Sequence, residues 1–275
     1  MLGAIIGDIV GSRFEFNNIK TKKFAFVGKG TSMTDDSIMT VAVDECLFNG
    51  YENDPMKIVA TLKKWGRRYP NAGYGGRFYY WVLGNETKPY NSYGNGSAMR
   101  VSGAGWFGNT EAEVKKLARA VTEVTHNHPE GLKGAEVTAM CVYYARKGKS
   151  KSFIREYIYE QYPEVKNLDY EELRKTYAHG EEICQVTVPQ ALFCFLISES
   201  FEDCLRTTIS IGGDCDTTAA ISCAVAEAFY GGVPNEIFDK VAPYISDDVM
   251  RVLAACYTKV SGQKTGTVRV KLNLE

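Results

Sequence analysis

Two short clusters of oxygen-bearing side chains are the part of this sequence most able to carry out chemistry. They stand near opposite ends of the chain, with few basic residues beside them. Carboxylate and hydroxyl oxygens are the ligands that hard divalent cations such as Mg²⁺ and Mn²⁺ take in proteins. If the fold joins the clusters, their four carboxylates carry more negative charge than one divalent ion offsets, which favours two ions. The six residues are Thr34, Asp35, Asp36, Asp214, Asp216 and Thr217.

Helix capping is the alternative interpretation of the same residues. Thr34 and Asp214 each precede an apolar helical segment, where a side-chain oxygen can accept a hydrogen bond from a free backbone N–H group. A single pair of aspartates is most often solvated surface. Two pairs, each beside a threonine and each opening an apolar helix, favour metal binding.

The composition is that of an ordinary globular protein. The chain has 275 residues, 45% hydrophobic and 24% charged, which allows one large domain or two small ones. A net charge of −1 gives no global field that would attract nucleic acid or an anionic membrane. The N-terminal segment lacks a basic region, and no apolar run reaches membrane-spanning length, so no signal peptide or membrane span is expected.

The cysteines indicate the compartment. There are eight, and none forms a C-x-x-C pair. Most lie in apolar helical stretches, which predicts buried free thiols in a reducing environment. We therefore expect a cytoplasmic protein.

Helical periodicity dominates the chain, and no Ser/Gly-rich linker interrupts it. We predict an all-α protein with residues 1–275 in a single domain. Alternating apolar and polar residues over 267–274 predict a short C-terminal strand, which would need an edge in its own chain or in a second subunit. A monomer and a dimer are both compatible with this pattern. Helices are predicted near 35–49, 55–68, 97–106, 111–125, 131–147, 150–160, 188–199, 201–210, 216–230, 234–242 and 246–258.

An N-terminal helix carries further candidates. Gly3, Gly7 and Gly11 form a stripe of small residues on one helix face, which allows close packing by a neighbouring helix. Glu15 follows this helix. It is either a surface residue at a helix end or a general base or ligand near the metal site.

Residues 93–100 form a glycine-rich loop before a helix, an arrangement that admits phosphate oxygens to backbone N–H groups, although such turns are common. His126 and His128 have no cysteine or further histidine nearby to complete a zinc site. They are better interpreted as polar side chains that line a cleft. His179 lies in a charged segment and is expected to be exposed.

Two segments rich in aromatic residues have open interpretations. Residues 73–81 are either a wall that stacks on a purine or part of the core. Residues 17–33 carry four lysines around two phenylalanines. They are either a lid that selects the substrate's acceptor group or a solvated basic loop.

In order along the chain, these motifs make the sequence similar to the ADP-ribosylglycohydrolase family, which includes dinitrogenase-reductase-activating glycohydrolases and ADP-ribosyl-acceptor hydrolases. The resemblance is strongest over residues 3–233. Each motif alone is loose, but five in the right order are specific. They are Gly3-Ala4-x-x-Gly7-Asp8-x-x-Gly11 with Phe14-Glu15, Thr34-Asp35-Asp36-Ser37-x-Met39, Gly94-Asn95-Gly96-Ser97-Ala98-Met99-Arg100, Thr125-His126-x-His128-Pro129 and Gly212-Gly213-Asp214-x-Asp216-Thr217-x-Ala219-Ala220.

The resemblance implies an orthogonally packed multi-helix domain with two Mg²⁺ or Mn²⁺ ions in a central cleft, held by the six residues of the two clusters. Glu15 would match the acidic residue that gates or activates at the substrate ribose. With it, Asp35 and Asp36 are the candidate catalytic carboxylates. The residues implied along the substrate are Asn95, Gly96, Ser97, Met99 and His128.

The implied reaction is hydrolysis of the glycosidic bond of an ADP-ribosyl group on a modified protein, with release of ADP-ribose. Arginine is the favoured acceptor, while serine, an acetyl group and a nucleic-acid base are not excluded. One alternative is a metal-dependent phosphodiesterase acting on a nucleotide diphosphate. The other is a non-catalytic ADP-ribose-binding protein on the same fold, against which the complete set of acidic positions argues.

Overall fold

The computed structural model describes residues 1–261, and α-helices account for most of them. That range contains no β-strand, only an isolated antiparallel bridge between Gly94 and Ile183. The predicted all-α class is confirmed, and the strand predicted at 267–274 lies outside the described residues. Two short 3₁₀ helices span Pro163–Asn167 and Ala242–Tyr244. The α-helices are α1 (Leu2–Gly11), α2 (Asp35–Phe48), α3 (Pro55–Arg68), α4 (Gly76–Leu83), α5 (Gly96–Met99), α6 (Ser102–Phe107), α7 (Glu111–Glu123), α8 (Pro129–Arg146), α9 (Lys151–Gln161), α10 (Tyr170–Thr176), α11 (Cys184–Ile197), α12 (Phe201–Ile211), α13 (Cys215–Tyr230), α14 (Asn235–Val241) and α15 (Asp247–Ser261).

Several helix boundaries differ from the predicted ones. The helix expected at 97–106 is two, α5 and α6, separated at Arg100. There the buried Arg100 guanidinium donates to Thr125 Oγ1 at 2.7 Å. Helix α11 begins at Cys184 and keeps Pro189 inside it, although proline usually marks a helix boundary. Helices α4 and α10, of eight and seven residues, are absent from the predicted set because so few residues show little periodicity.

The glycine stripe of α1 packs directly on α13, as predicted. A Cβ on Gly7 would collide with the carbonyl oxygen of Ala219, and one on Gly11 would lie 2.5 Å from Asp216 Cα. Gly3 is equally close to the backbone of α13. Because only hydrogen atoms separate the two helices along this stripe, the first turn of α13 lies against the C-terminal half of α1.

The capping interpretation holds for one cluster residue. Thr34 is the N-cap of α2, and its Oγ1 accepts a hydrogen bond from Asp36 N at 3.4 Å. Asp214 occupies the N-cap position of α13, but its side chain makes no capping hydrogen bond. Capping therefore accounts for Thr34 and leaves the four carboxylates without a purely structural explanation.

The basic segment 17–33 is bound along α12. Lys20 Nζ donates to the carbonyl oxygens of Tyr177 and Ile211, each at 2.6 Å. Lys22 forms an ion pair with Asp203 at 2.9 Å. The two other lysines are exposed. These contacts hold the segment more firmly than a solvated loop. The residues just before it, Glu15 and Phe16, line a cleft.

All eight cysteines are free and buried, as predicted. Burial raises the pKa of the Cys46 thiol to about 12, which keeps it neutral near pH 7. Within residues 1–261, no helix combines the length and the apolar character needed to cross a membrane.

Asp44 of α2 is a buried carboxyl group away from the acidic clusters. Its exposed fraction is 0%, and among the described residues neither side-chain oxygen has a hydrogen-bond partner. Burial raises the pKa of Asp44 to about 7; the α-amino group of Met1 opposes this rise and the Glu227 carboxylate adds to it. Asp44 therefore changes its charge within the range of pH at which the protein can be studied.

The conformational stability contributed by Asp44 should fall as pH rises from about 4 to about 7, because the unfolded chain releases a proton that the folded chain keeps. Asp44→Asn cannot ionise, so above pH 7 it should be more stable than the wild type by up to about 4 kcal/mol. Urea unfolding of both proteins at about pH 5 and pH 8 measures this difference. A difference that does not change with pH would contradict the buried ionisation.

Candidate active site

A cleft of about 450 Å³ lies where the N-terminal ends of α2, α5 and α13 meet the loop after α1. Both acidic clusters contribute to its wall, so the fold joins two parts of the chain that are far apart in sequence. The predicted site residues that line the cleft are Glu15, Asp35, Asp36, Asn95, Gly96, Met99, Asp214, Asp216 and Thr217.

Three buried carboxylates form the centre of the site. Asp8, Asp36 and Asp216 each offer a ligand oxygen, and these oxygens lie within 4.8 Å of one another. Their exposed fractions are 0%, 2% and 2%. Thr217 Oγ1 donates to Asp36 Oδ2 at 3.1 Å, while Asp36 Oδ1 has no hydrogen-bond partner among the described residues. An unpartnered buried oxygen of this kind is available to a ligand.

Asp8 is absent from the predicted site residues, although the sequence contains a signal for it. It is a charged residue within the otherwise apolar α1, and such a residue needs a partner when buried. Asp8 accepts hydrogen bonds from Thr34 N at 3.0 Å and Thr34 Oγ1 at 2.6 Å. It also accepts from Ser37 N at 3.0 Å and from the Ser37 hydroxyl. Asp8 thereby fixes the start of α2 and both neighbours of the Asp35-Asp36 pair.

A second group lies at the mouth of the cleft. Ligand atoms of Glu15, His179 and Asp214 lie within 4.8 Å of one another. His179 Nε2 is 3.4 Å from Glu15 Oε1, and its Nδ1 is 2.8 Å from a carboxylate oxygen of Glu182. Asn95 Nδ2 donates to Asp214 Oδ2 at 2.6 Å, which orients that carboxylate. His179 is exposed, as predicted, but it also lines the cleft.

The carboxylates of the acidic centre raise the pKa values of their neighbours. Burial raises the pKa of Asp36 and Asp216 well above the usual aspartate value; the charges of Asp8 and Asp35 add to the rise at Asp36, and that of Asp214 to the rise at Asp216. Within residues 1–261, no lysine or arginine forms an ion pair with these carboxylates. Buried carboxylates need a positive partner. A hard divalent cation supplies that charge and takes oxygen ligands, so the residues present fit a metal ion.

The predicted substrate loop divides into two kinds of residue. Gly96 and Met99 line the cleft. Ser97 is fully buried, and its Oγ donates to Gly131 O at 2.9 Å and lies 3.1 Å from Cys184 Sγ. The hydroxyl of Ser97 therefore points into the protein interior and braces the loop from behind.

Of the two neighbouring histidines, it is His126 that lines the cleft. His128 is the N-cap of α8: its Nδ1 accepts a hydrogen bond from Glu130 N at 3.2 Å, and its ring centroid lies 5.0 Å from that of Tyr93. His128 thus caps a helix and is not among the residues that line the 450 Å³ cleft. His126 Nδ1 lies 2.8 Å from Thr125 Oγ1, and burial holds the pKa of His126 well below its usual value.

Another part of the cleft wall is cationic and aromatic. The guanidinium of Arg77 lies 5.0 Å from the ring centroid of Tyr90, and that of Arg100 lies 5.5 Å from Phe78. Burial lowers the pKa of Arg100 to about 10, so it remains protonated near pH 7. This wall includes part of the aromatic segment 73–81. Two cations that form no ion pair within residues 1–261 suit an anionic group such as a phosphate.

Comparison with known proteins gives a consistent assignment. A family model described as ADP-ribosylglycohydrolase matches residues 1–265. The chain is 27% identical to ADP-ribosylhydrolase ARH3 of Mus musculus, over 84% of this chain and 82% of that protein. It is 24% identical to the ADP-ribosyl-(dinitrogen reductase) glycohydrolase of Rhodospirillum rubrum, over 92% of each. It is also 24% identical to ADP-ribosylarginine hydrolase Tri1 of Serratia proteamaculans, over 88% of this chain and 74% of that protein.

The fold agrees with the sequence comparisons. A solved structure described as an ADP-ribosylglycohydrolase-related protein complex superposes with a TM-score of 0.66 at 23% identity, over 94% of this chain and 95% of that chain. The family match spans nearly the whole sequence, and the cleft joins the motifs on which the resemblance rests. The chain is therefore a hydrolase of ADP-ribosyl glycosidic bonds that belongs to the ADP-ribosylglycohydrolase family.

Proposed function

We propose that the chain releases ADP-ribose from ADP-ribosylated arginine side chains of proteins, with two Mg²⁺ or Mn²⁺ ions at the acidic centre. The observation that carries the metal requirement is the group of buried carboxylates in the cleft, which have no basic partner among residues 1–261. The relative named ADP-ribosylarginine hydrolase supports arginine as the acceptor. Buried free thiols support a reducing, cytoplasmic location.

The proposed ligands are the six oxygen-bearing residues of the two clusters, with Asp8 as their support. Asp36 and Asp216 approach each other from α2 and α13, and Thr217 bonds the carboxylate of Asp36. Bound ions would orient the ribose hydroxyls and lower the pKa of a water molecule. The full proposed ligand set is Thr34, Asp35, Asp36, Asp214, Asp216 and Thr217.

Glu15 is proposed as the proton acceptor. Burial raises the pKa of Glu15 above its usual value, and the charge of Asp214 adds to the rise, which makes Glu15 a better base than an ordinary carboxylate. The water oxygen attacks the anomeric carbon, and Glu15 takes its proton. The bond from that carbon to the guanidine nitrogen breaks through an oxocarbenium-like transition state. Glu15 then returns the proton to the leaving nitrogen, so the products are ADP-ribose and arginine.

The remaining cleft residues are proposed to hold the rest of the substrate. Gly96 and Met99 line the cleft beside the substrate, and Arg77 and Arg100 offer positive charge for the diphosphate. Ser97 and His128 act from behind this wall, through the loop and the helix that they brace. These contacts would orient the ribose for attack by water, and correct orientation of reacting groups is a large part of the acceleration of such a reaction.

The test is hydrolysis of ADP-ribosyl-arginine by purified protein after EDTA treatment, with and without added Mg²⁺ or Mn²⁺, and with products identified by mass. We expect metal-dependent release of intact ADP-ribose. AMP with ribose phosphate would instead establish a phosphodiesterase. Binding of ADP-ribose without turnover of arginine-, serine-, acetyl- or base-linked substrates would establish a non-catalytic binding protein.

A further inference from the structure

The turn that precedes Asp214 is built from two glycines in the left-handed region. Gly212 has φ +81° and Gly213 has φ +67°, values that side-chain-bearing residues rarely adopt. The turn is also enclosed, since a Cβ on Gly212 would lie 2.9 Å from Asn18 Oδ1 and one on Gly213 would lie 2.7 Å from Tyr177 Cδ1. A buried turn of this shape still needs partners for its peptide groups.

Asn18 supplies those partners to Gly213. Its Oδ1 accepts a hydrogen bond from Gly213 N at 2.8 Å, and its Nδ2 donates to Gly213 O at 2.9 Å. The same Nδ2 donates to Phe14 O at 2.8 Å and to Glu15 O at 2.9 Å. One side-chain amide thus joins the backbone that carries Glu15 to the turn that leads into Asp214.

We infer that Asn18 is a positioning residue that holds Glu15 and Asp214 at the separation needed for hydrolysis. This inference rests on the function proposed above. The two carboxylates repel each other across the mouth of the cleft, so their separation must be enforced by the backbones that carry them. A neutral amide is suited to this task, because it bonds both backbones without adding a charge that competes with a cation.

Asn18→Ala removes all four hydrogen bonds of this link. We expect kcat to fall about 10- to 100-fold, since small displacements of reacting groups have effects of that size, while KM stays within about twofold because the proposed phosphate contacts lie elsewhere. The Gly213 amide should exchange its hydrogen at least about tenfold faster, since it loses its acceptor. Steady-state kinetics and amide exchange followed by NMR measure these quantities.

Asn49→Ala is the matched control, because Asn49 also donates to a backbone carbonyl, Glu45 O at 2.8 Å, but on an exposed helix end. It should leave kcat and Gly213 exchange unchanged. Asn18→Asp keeps an acceptor for Gly213 N but loses the Nδ2 donor to Phe14 O, Glu15 O and Gly213 O. Gly213 should then remain protected while kcat falls. If Asn18→Ala fails to fold, Asn18→Asp decides the question.

Wild-type kcat in a folded Asn18 variant would overturn the inference. So would a fall in kcat no larger than that of Asn49→Ala. If the wild type itself releases no ADP-ribose, the proposed function fails, and Gly213 exchange in the Asn18 variants still shows whether this side chain holds the turn. The two failures are therefore distinguishable.

Discussion

Replacing Asp36 with asparagine is expected to lower the rate of ADP-ribose release at least about 10³-fold, or about 4 kcal/mol of transition-state stabilisation. Asp36 is buried between Asp8 and Asp216, and one of its oxygens has no hydrogen-bond partner among residues 1–261. The amide keeps the shape of the side chain but removes the charge on which cation binding depends. Initial rates at saturating Mg²⁺ and Mn²⁺ measure the effect.

Asp239→Asn is the control for Asp36→Asn, because Asp239 is an exposed aspartate of α14. It should retain the wild-type rate. If Asp36→Asn retains a rate within about tenfold of the wild type at saturating metal, Asp36 is not a ligand that the reaction requires.

Although Asp36→Asn should lower the reaction rate, it should raise the stability of the metal-free protein. In EDTA, Asp36→Asn removes one of several buried like charges, so the unfolding midpoint should rise by about 2 °C for each 1 kcal/mol of relief. The wild type should gain stability on addition of Mg²⁺ or Mn²⁺, because only the folded state binds the ion. Thermal unfolding with and without metal tests this. Equal metal-induced gains in both proteins would contradict the assignment of Asp36 as a ligand.

The second large effect is expected at Gly7, where alanine should lower the free energy of unfolding by about 3 kcal/mol or more. The new Cβ would overlap the backbone of Ala219, and neither α1 nor α13 can move without disturbing the rest of the core. Both helices carry central carboxylates, Asp8 on α1 and Asp216 on α13. Added Mg²⁺ should therefore raise the free energy of unfolding of this variant by less than it raises that of the wild type. Urea unfolding with and without the ion measures both quantities.

Gly76→Ala is the matched control for Gly7→Ala. Gly76 is also a helical glycine, but a Cβ there would meet nothing within 4 Å. Its stability should stay within about 1 kcal/mol of the wild type, and alanine favours the helix. If Gly7→Ala loses no more stability than Gly76→Ala, then α1 and α13 are not packed so closely that a Cβ at position 7 is excluded.

Much of the candidate site is predictable because its determinants are local. A threonine before two aspartates at the start of an apolar segment predicts both a capped helix and a charged first turn, and α2 has both. Glycines at every fourth position predict close helix packing, and α1 lies against α13 along that stripe. The acidic motifs and the family resemblance also identify most of the cleft residues without any coordinates.

The remaining features depend on contacts between distant parts of the chain, so the tertiary structure decides them. Asp8 belongs to the acidic centre of the cleft because the packing of α1 on α13 buries its carboxylate beside that of Asp216. His126 lines the cleft, while the neighbouring His128 caps α8. By itself, the sequence determined the chemistry that is present and the local elements that carry it. Only the tertiary structure decided which side chains meet, because the direction of a side chain follows from the packing of helices far apart in sequence.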